Sequence, residues 1–491
     1  MYAFRLFPRG PDSGPLFHIT SLKSSSKYCF TFHAIAAISI IFVIRKMKKL
    51  HAGRDLGFLI KKSGIAFTVK AGGMVAQYLF VYTLARLSGP GTLGTFTLSY
   101  TVIQLLVILS LLGLDNLLTR KVATASAVND PTSLRKAYQI AVRTSIISSV
   151  LISTLLFFLS PLLAENIFRK PGLTSSLQII SISLPFFTNV VIHASAFRGI
   201  KNMFGFTFYK TTIPIINTLV LLLSYYLQLD LLPAVGFTMA SILTAFGYAA
   251  GWKKKLTHTG TIEYQQRDYS TMLRESLPML MTGSIFFILN WIDNLFIGYF
   301  RNESDVGIYD TAFKIATASA IILQAVNAIQ APVFAEYKAG GDLRKLRQSV
   351  FQSNRLLFIL TLPLTLLILA MPEFLLGIFG SEFKAGAMCL SILAVSNMLS
   401  AICGSVGILL QMTGYQNIYN KIIMAAAGLS IVLNLLLIPV WGITGAAIAS
   451  SAAKIFQNLG ASFVVYKKLG IFSVYIPWLT NKILQRKNQQ A

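Results

Sequence analysis

The sequence has few charged residues for its length. Asp, Glu, Lys and Arg together make up 12% of its 491 residues, roughly half the share found in typical soluble proteins. Hydrophobic residues make up 54% of the chain, and the mean hydropathy is +0.65. Apolar runs of about 20 residues, the length that crosses a bilayer as a helix, recur along the whole chain. The composition therefore predicts an all-α integral membrane protein with many spans.

Residues for metal, nucleotide or catalytic chemistry are also scarce. The sequence has only three cysteines (Cys29, Cys389 and Cys403), which lack metal-binding or redox spacing, and its five histidines form no cluster. It contains no Walker A motif, so ATP hydrolysis within this chain is not expected. No extended loop is long enough to house an active site. We therefore expect no cofactor, no metal and no catalytic residue, and we do not expect an enzyme.

Acidic residues are much rarer than basic ones. The chain has 43 Lys and Arg against 17 Asp and Glu, a formal net charge of +26. A soluble chain with this balance would suggest nucleic acid as a partner, but in a membrane protein the positive-inside rule accounts for it. The basic residues gather in alternate loops. This pattern predicts a cytoplasmic-membrane protein in which both ends of the span region face the cytoplasm, and no nucleic acid is expected.

A window of about 19 residues predicts about twelve spans. They fall near residues 63–86, 92–113, 139–163, 174–197, 208–228, 232–252, 277–300, 307–333, 353–378, 386–412, 418–440 and 443–466. The long basic loop 253–272 divides them into two sets of six, an N-lobe at 59–252 and a C-lobe at 273–468. The tail 469–491 has too few apolar residues to span, and we expect it at the interface or in the cytoplasm.

Residues 1–58 form an N-terminal extension and an amphipathic lead-in to the first span. The apolar run Phe30–Ile44 is short for a span, and no cleavage site follows it. Two interpretations stay open: an additional membrane anchor, or upstream sequence that precedes a true start at Met47.

The two sets of six spans share a weak internal repeat. A shift of 213 residues aligns the first two spans of each half without gaps and places Gly94 on Gly307, and Val235–Thr244 also matches Thr444–Ala453. Two halves of this kind, with the substrate path at their interface, are a common plan among transporters. We therefore expect two six-helix lobes related by an internal repeat.

Charged residues inside the predicted spans are the candidate site residues. Asp293, Asp310 and Lys314 lie in two consecutive spans, where each charge costs at least a few kcal/mol. An Asp293–Lys314 pair and an Asp310–Lys314 pair are both geometrically possible, and either is a structural ion pair or an ion-sensitive coupling group. Lys70 and Lys454 lie deep in the first and last spans, although a lysine such as Lys70 can also snorkel to the interface. Because these cations outnumber the acids, an anionic cargo is favoured.

Four stretches carry a resemblance to a known family: Leu84–Val102, Leu112–Ala123, Asp293–Ala316 and Leu409–Ser450. In their order and spacing, the chain resembles the polysaccharide and lipid-linked oligosaccharide exporters of the multidrug/oligosaccharidyl-lipid/polysaccharide exporter superfamily. The similarity extends from about Leu59 to Lys468, and residues 1–46 have no counterpart in it.

The resemblance implies two lobes around a V-shaped central cavity that opens alternately to each side. The implied cargo is an undecaprenyl-diphosphate-linked repeat unit for O-antigen, capsule or another surface polysaccharide, with polymerase and glycosyl transferases as partners. Cavity cations would hold the diphosphate while the tail stays in lipid, and Lys70 and Lys314 match positions where relatives carry such cations. Lys454 joins them as a substrate-binding candidate, and Asp293 and Asp310 are the coupling candidates.

Other functions stay open at this stage. A drug/cation antiporter of the same superfamily usually needs buried acids, in which this chain is poor. A peptidoglycan-precursor flippase usually has two further C-terminal spans, which the sequence does not show. An integral membrane glycosyl transferase or polymerase would need a large loop with acidic catalytic residues, and none is visible.

Overall fold

The computed structural model describes residues 54–229, 231–253, 266–475 and 477. The side chains of residues 54–71, and of a few later residues, are not described. The predictions for residues 1–53, for most of the linker 253–272 and for residues 478–491 lie outside the described residues.

Every regular element among the described residues is helical. The helices are α1 (Arg54–Leu111), α2 (Leu114–Ala127), α3 (Pro131–Leu162), α4 (Leu173–Gly199), α5 (Met203–Tyr226), α6 (Pro233–Lys253), α7 (Gln266–Phe300), α8 (Glu303–Thr317), α9 (Ala320–Ala339), α10 (Leu343–Ala370), α11 (Pro372–Gly377), α12 (Ala387–Cys403), α13 (Val406–Met412) and α14 (Gln416–Leu469). A π-helical turn follows α3 (Leu163–Ile167), and a 3₁₀ turn precedes α12 (Ser381–Gly386). The predicted all-α class is confirmed.

The described residues contain nine helices that are long and apolar enough to cross a membrane, or ten if the bent pair α8 and α9 forms one span. Helices α1 and α14 are 58 and 54 residues long, and each covers two of the predicted spans. Each also breaks at a glycine with positive φ, Gly89 (φ 74°) and Gly442 (φ 56°), a conformation that glycine adopts without strain. The multi-span helical fold is confirmed, while twelve as the exact number stays a prediction.

Helix α3 begins well before the apolar segment that the hydropathy window detects. It starts at Pro131, and the Asp130 carboxylate accepts hydrogen bonds from the backbone N–H groups of Thr132 and Ser133 at 3.1 and 3.0 Å. Hydrogen bonds from the Ser133 side chain and backbone hold the pKa of Asp130 below its ordinary value. This N-cap sets the start of the helix, whereas the predicted span 139–163 marks only its apolar part.

The described part of the chain divides into two compact units, Ile65–Gly307 and the residues from Ile308 onward, and the boundary falls within α8. The first unit therefore includes α7, which begins within the predicted linker 253–272 and continues beyond it. The lobes 59–252 and 273–468, as units related by a repeat, stay a prediction.

Both ends of α7 are held by basic residues of the first unit. Near its start, Glu275 pairs with Arg120 and Lys121 at 3.1 and 3.0 Å. Near its end, the ammonium of Lys170 donates to the carbonyl oxygens of Gly298 and Arg301 at 2.7 and 2.6 Å. A cation at a helix C-terminus satisfies free carbonyls and complements the helix dipole. These contacts anchor α7 within the first unit.

Lys170 itself is buried in the loop between α3 and α4. Burial lowers the pKa of its ammonium, and the negative charges of Glu303 and Asp305 oppose this shift. The carbonyl oxygens of Phe168, Gly298 and Arg301 thus take the place of water around the cation.

Helices α1 and α8 cross at two glycines that the repeat aligns with each other. A Cβ atom on Gly94 would lie 1.7 Å from the carbonyl oxygen of Glu303, and one on Gly307 would lie 2.2 Å from that of Pro90. Small residues let two helix backbones approach this closely in a membrane. The two aligned glycines are therefore required by the crossing itself.

Gly94→Ala is expected to destabilise the protein by about 1–3 kcal/mol, since backbone atoms cannot yield to the added methyl as a flexible side chain can. Thermal unfolding of the detergent-solubilised protein measures the effect. Gly72→Ala in the same helix is the control, because a methyl group added there would meet no atom within 4 Å. Equal stability of the two variants would contradict the crossing.

Candidate functional site

Asp310 and Lys314 form an ion pair in α8. The Lys314 ammonium donates to the Asp310 carboxylate across one helical turn, and the two side chains are only 19% and 3% exposed. Of the two pairings that the sequence allows, the structure shows this one. Each charge compensates the other inside a membrane span, where a lone charge is costly. The role of the pair as a coupling group stays a prediction.

Lys454 takes part in a hydrogen-bonded chain that joins three helices of the second unit. Its ammonium donates to the Asn397 side-chain oxygen, which links α14 to α12. The Asn397 amide nitrogen then donates to the carbonyl oxygen of Ala316 in α8 at 2.8 Å. Ala316 is two residues beyond Lys314 and lies at the bend of 45° between α8 and α9. The structure thus connects Lys454, through Asn397, to the backbone of α8 two residues beyond Lys314.

The charge of Lys454 has no acidic partner among the described residues. A lysine ammonium can donate three hydrogen bonds, and within the described part of the chain this one makes a single bond, to Asn397. Lys454 lies inside a candidate membrane span, where cations normally pair with acids or mark a substrate path. The Lys454 ammonium therefore keeps two N–H donors, deep in a span, that can bind an anionic group.

Asp293 lies in the first unit, in α7. Its side chain is buried, as is that of the adjacent Asn294, whose amide nitrogen donates to the hydroxyl oxygen of Thr101 at 3.5 Å. The structure therefore assigns Asp293 to a different compact unit from Asp310 and Lys314. Its coupling role stays a prediction.

The backbone of Lys70 lies in α1, and its side chain is outside the described residues. One turn further along the helix, a Cβ on Gly73 would lie 3.1 Å from the Thr211 hydroxyl and 3.2 Å from the carbonyl oxygen of Lys210. The part of α1 next to Lys70 therefore packs closely against α5. Substrate binding by Lys70 stays a prediction.

Asn397 is the main site residue that the sequence analysis missed. An amide carries no charge, so the search for charged residues in apolar runs passed over it. The available signal was its position, since it lies within the run SILAVSNMLSAIC. A polar amide in a span must find a hydrogen-bond partner inside the protein.

Comparisons with known proteins define the family. Residues 83–388 match the family described as polysaccharide biosynthesis protein, which is more than half of the chain. The chain therefore belongs to this family, and it is a multi-pass membrane protein. The resemblance seen in the sequence is confirmed.

Two archaeal relatives illustrate the similarity. The chain is 28% identical over 166 residues to the probable low-salt glycan biosynthesis flippase Agl15 of Haloferax volcanii, and the match covers 34% of this chain and 35% of that protein. It is 21% identical over 421 residues to the uncharacterised membrane protein MJ1068 of Methanocaldococcus jannaschii, covering 80% and 78% of the two chains. The match to Agl15 thus spans about a third of either protein.

Solved structures show the same fold at low identity. A multidrug resistance MATE family transporter in an inward-facing conformation matches with a TM-score of 0.63 at 14% identity, over 81% of this chain and 94% of the other. The lipid II flippase MurJ matches with a TM-score of 0.61 at 15% identity, over 84% and 89%. At these identities the matches show the transporter fold and do not identify a cargo.

Proposed function

We propose that this protein is a flippase that moves an undecaprenyl-diphosphate-linked oligosaccharide repeat unit across the cytoplasmic membrane by alternating access. The product would serve a surface polysaccharide such as O-antigen, capsule or exopolysaccharide. The observation that carries the proposal is Lys454, a cation deep in a span with unused donors and no acidic partner among the described residues. The polysaccharide biosynthesis family and the flippase Agl15 among its relatives support the same function.

A diphosphate supplies the negative charge and the acceptor atoms that the Lys454 ammonium lacks among the described residues. Its oxygens accept several charge-assisted hydrogen bonds, which are roughly twice as strong as neutral ones. Lys314, already paired with Asp310 and still partly exposed, adds a second cation in the second unit. In this proposal Lys70 contributes from the first unit, and the sugar stays in the aqueous cavity.

The bond network also provides a way for cargo binding to act on a helix bend. The Ala316 carbonyl at the bend between α8 and α9 is held by Asn397, which in turn accepts from Lys454. A phosphate that binds the two unused donors of the Lys454 ammonium joins this hydrogen-bonded chain. A shift of the ammonium toward the phosphate would then be passed through Asn397 to the bend, and this links the bound state to a change in helix shape.

The paired acid argues against the drug/cation antiporter. Asp310 is already neutralised by Lys314, which leaves Asp293 as the other acid of the predicted cluster. The cargo of a peptidoglycan-precursor flippase also carries an anionic diphosphate. It differs from the proposed oligosaccharide lipid in the sugar. Polymerase and glycosyl transferase partners, and a cytoplasmic position for both ends of the span region, belong to the same proposal.

Reconstitution into liposomes tests the function. A polyprenyl-diphosphate oligosaccharide is built into the inner leaflet, and an added lectin detects glycan that reaches the outer leaflet. We expect protein-dependent exposure of this lipid and no uptake of a cationic dye. If only a peptidoglycan precursor or only the dye moved, the proposed cargo would be wrong. If no glycan lipid moved, the flippase function itself would be refuted.

A further inference from the structure

The chain continues beyond α14 as an extended segment that lies in the second unit. Helix α14 ends at Leu469, and the backbone N–H of Gly470, which has a φ of 64°, donates to the Tyr466 carbonyl oxygen at 2.9 Å. A glycine in this conformation is a common end of a helix. Residues 471–475 have no regular secondary structure, and we call residues 470–475 the strap.

The side chains of the strap alternate between buried and exposed. Ile471, Ser473 and Tyr475 are 1%, 3% and 5% exposed, whereas Phe472 is 41% exposed. Successive side chains of an extended chain point to opposite sides. One side of the strap is therefore packed into the protein, and Phe472 lies on the other side.

The packed side of the strap contacts α10 and α13. Ile471 belongs to a buried apolar cluster with Leu346 and Val350 of α10 and with Leu409 and Leu410 of α13. The strap thus bridges two helices that are far apart in the sequence.

Tyr475 packs against two aromatic rings of α10. Its ring centroid lies 5.4 Å from that of Phe351 and 5.5 Å from that of Phe358, and both pairs are edge-to-face. Aromatic rings prefer this arrangement to a face-to-face stack. Tyr475 is therefore the main aromatic contact between the strap and α10.

Side chains of α10 also donate to the backbone of the strap. The Arg347 guanidinium donates to the carbonyl oxygen of Gly470 at 3.3 Å, and the Asn354 amide donates to that of Ser473. From Arg347 to Phe358, the contacts of the strap extend over roughly 16 Å of helix at 1.5 Å per residue. The strap thus follows α10 into the candidate membrane span Leu343–Ala370.

The strap ends where a predicted span is broken. The span 386–412 consists of α12 and α13, which are separated at Gly404 (φ 79°). The last carbonyl groups of a helix have no partner within it, and in a membrane they must bond to other parts of the protein. Here the Tyr475 N–H donates to the Ile402 carbonyl oxygen at 2.9 Å, and Asn354 donates to that of Cys403 at 3.5 Å. The strap therefore supplies a donor that the break requires.

Asn354 joins the strap and the break, but the polar contacts there are incomplete. A Cβ atom on Gly404 would lie 1.9 Å from the Asn354 side-chain oxygen. This oxygen and the hydroxyls of Ser405 and Ser473 are buried without a hydrogen-bond partner in the described part of the chain. Buried polar atoms without partners oppose docking. The packing of Ile471 and Tyr475 therefore holds the strap in place.

The helix whose end the strap fixes also carries the partner of Lys454. Asn397 lies on α12 less than two turns before Cys403, the last residue of the helix. It accepts the hydrogen bond from the Lys454 ammonium. The position of Asn397 therefore depends on how the end of α12 is held.

We propose that the crevice between α10 and the break after α12 is a peptide-binding site, and that its ligand is the chain's own strap. A peptide that fits this crevice is extended and carries an apolar, a small and an aromatic residue at alternate positions. The docked strap is a positioning element, because it fixes the end of α12 and so holds Asn397 against the Lys454 ammonium. The docking is independent of the proposed function, whereas the effect on transport rests on it.

Photo-crosslinking of the full chain, in vesicles of phosphatidylethanolamine and phosphatidylglycerol, tests the docking. p-Benzoylphenylalanine in place of Tyr475 should crosslink within the same chain, to residues 351–358 or to the end of α12. The same group in place of Phe472 is the control and should label lipid, because that side chain is exposed. Labelling of lipid alone from position 475 would overturn the docking. Crosslinks between two copies would show that the ligand is not the chain's own strap.

Hydrogen–deuterium exchange and flipping test the positioning role. In Tyr475→Ala, the amides of residues 400–406 should exchange about tenfold faster, because the end of α12 is no longer held. The cargo concentration for half-maximal flipping should rise about threefold to tenfold, because Asn397 no longer fixes the ammonium. Tyr475→Phe keeps the ring and Phe472→Ala keeps the packed side, so both should behave like the unsubstituted protein. Less folded protein with an unchanged half-maximal concentration would overturn the positioning role.

The outcomes separate this inference from the proposed function. Crosslinking and exchange are measured without cargo, so the expected results there without flipping by the unsubstituted chain would overturn the proposed function alone. Unchanged exchange and unchanged flipping in Tyr475→Ala would overturn this inference alone. Crosslinking from position 475 tests the docking even where Tyr475→Ala fails to fold.

Discussion

Lys454→Met should reduce export of the surface polysaccharide about tenfold to a hundredfold, because a hydrogen bond to a charged group contributes about 1.5–3 kcal/mol. Methionine is one atom shorter than lysine, keeps the unbranched apolar stem and removes the charge, so the packing between α12 and α14 is retained. Membrane insertion should not suffer, since the substitution removes a deep charge that lacks an acid among the described residues. Surface polysaccharide in a strain that carries only the variant, compared with the amount of protein in the membrane, measures the effect.

Lys421→Met is the matched control for this experiment. Lys421 lies on the same helix, α14, and is exposed near its start. Its replacement should leave export unchanged, because a cation near the end of a span is explained by the positive-inside rule. Lys454→Arg keeps the charge and should retain part of the activity. Normal export by Lys454→Met would remove this residue from the site.

The ion pair in α8 leads to the second large effect. Lys314→Met leaves the buried carboxylate of Asp310 without its cation, and breaking a buried pair in this way typically costs about 3–5 kcal/mol. We expect low membrane abundance and a lower unfolding temperature for this variant. Asp310→Asn should be milder, because the Lys314 side chain is more exposed than that of Asp310.

The double variant Asp310→Asn with Lys314→Met separates structure from transport. Removing both charges restores a neutral span, so abundance and unfolding temperature should return close to the original values. Export should stay low, because the cation that contributes to diphosphate binding is missing. Normal export by the double variant would show that the ion pair has only a structural role. Low membrane abundance of the double variant would contradict the idea that Asp310 and Lys314 neutralise each other.

Local features of the site could be predicted from the sequence. Asp310 and Lys314 are four residues apart, and a helix places such residues on one face whatever surrounds it. The sequence left Asp293 open as the alternative partner, and the structure shows Lys314 paired with Asp310. The starts of the helices were harder to predict, because the N-cap at Asp130 lies outside the apolar run that the hydropathy window detects.

The features that only the fold reveals join residues that are distant in sequence. Lys454 and Asn397 are 57 residues apart, and Lys170 is 128 residues from Gly298, whose carbonyl it caps. In lipid all faces of a helix can be apolar, so hydropathy does not indicate which face meets a neighbour.

The sequence by itself determined that this protein crosses the membrane many times as helices, because each run of about 20 apolar residues must satisfy its backbone hydrogen bonds internally. It also identified the in-span charges and the aligned glycines Gly94 and Gly307. Only the tertiary structure decided which contacts those residues make. The two glycines lie at a close helix crossing, Asp310 pairs with Lys314, and Lys454 donates to the Asn397 side chain. The physical reason is that charge and apolar length are properties of a segment, whereas a binding site depends on how helices pack.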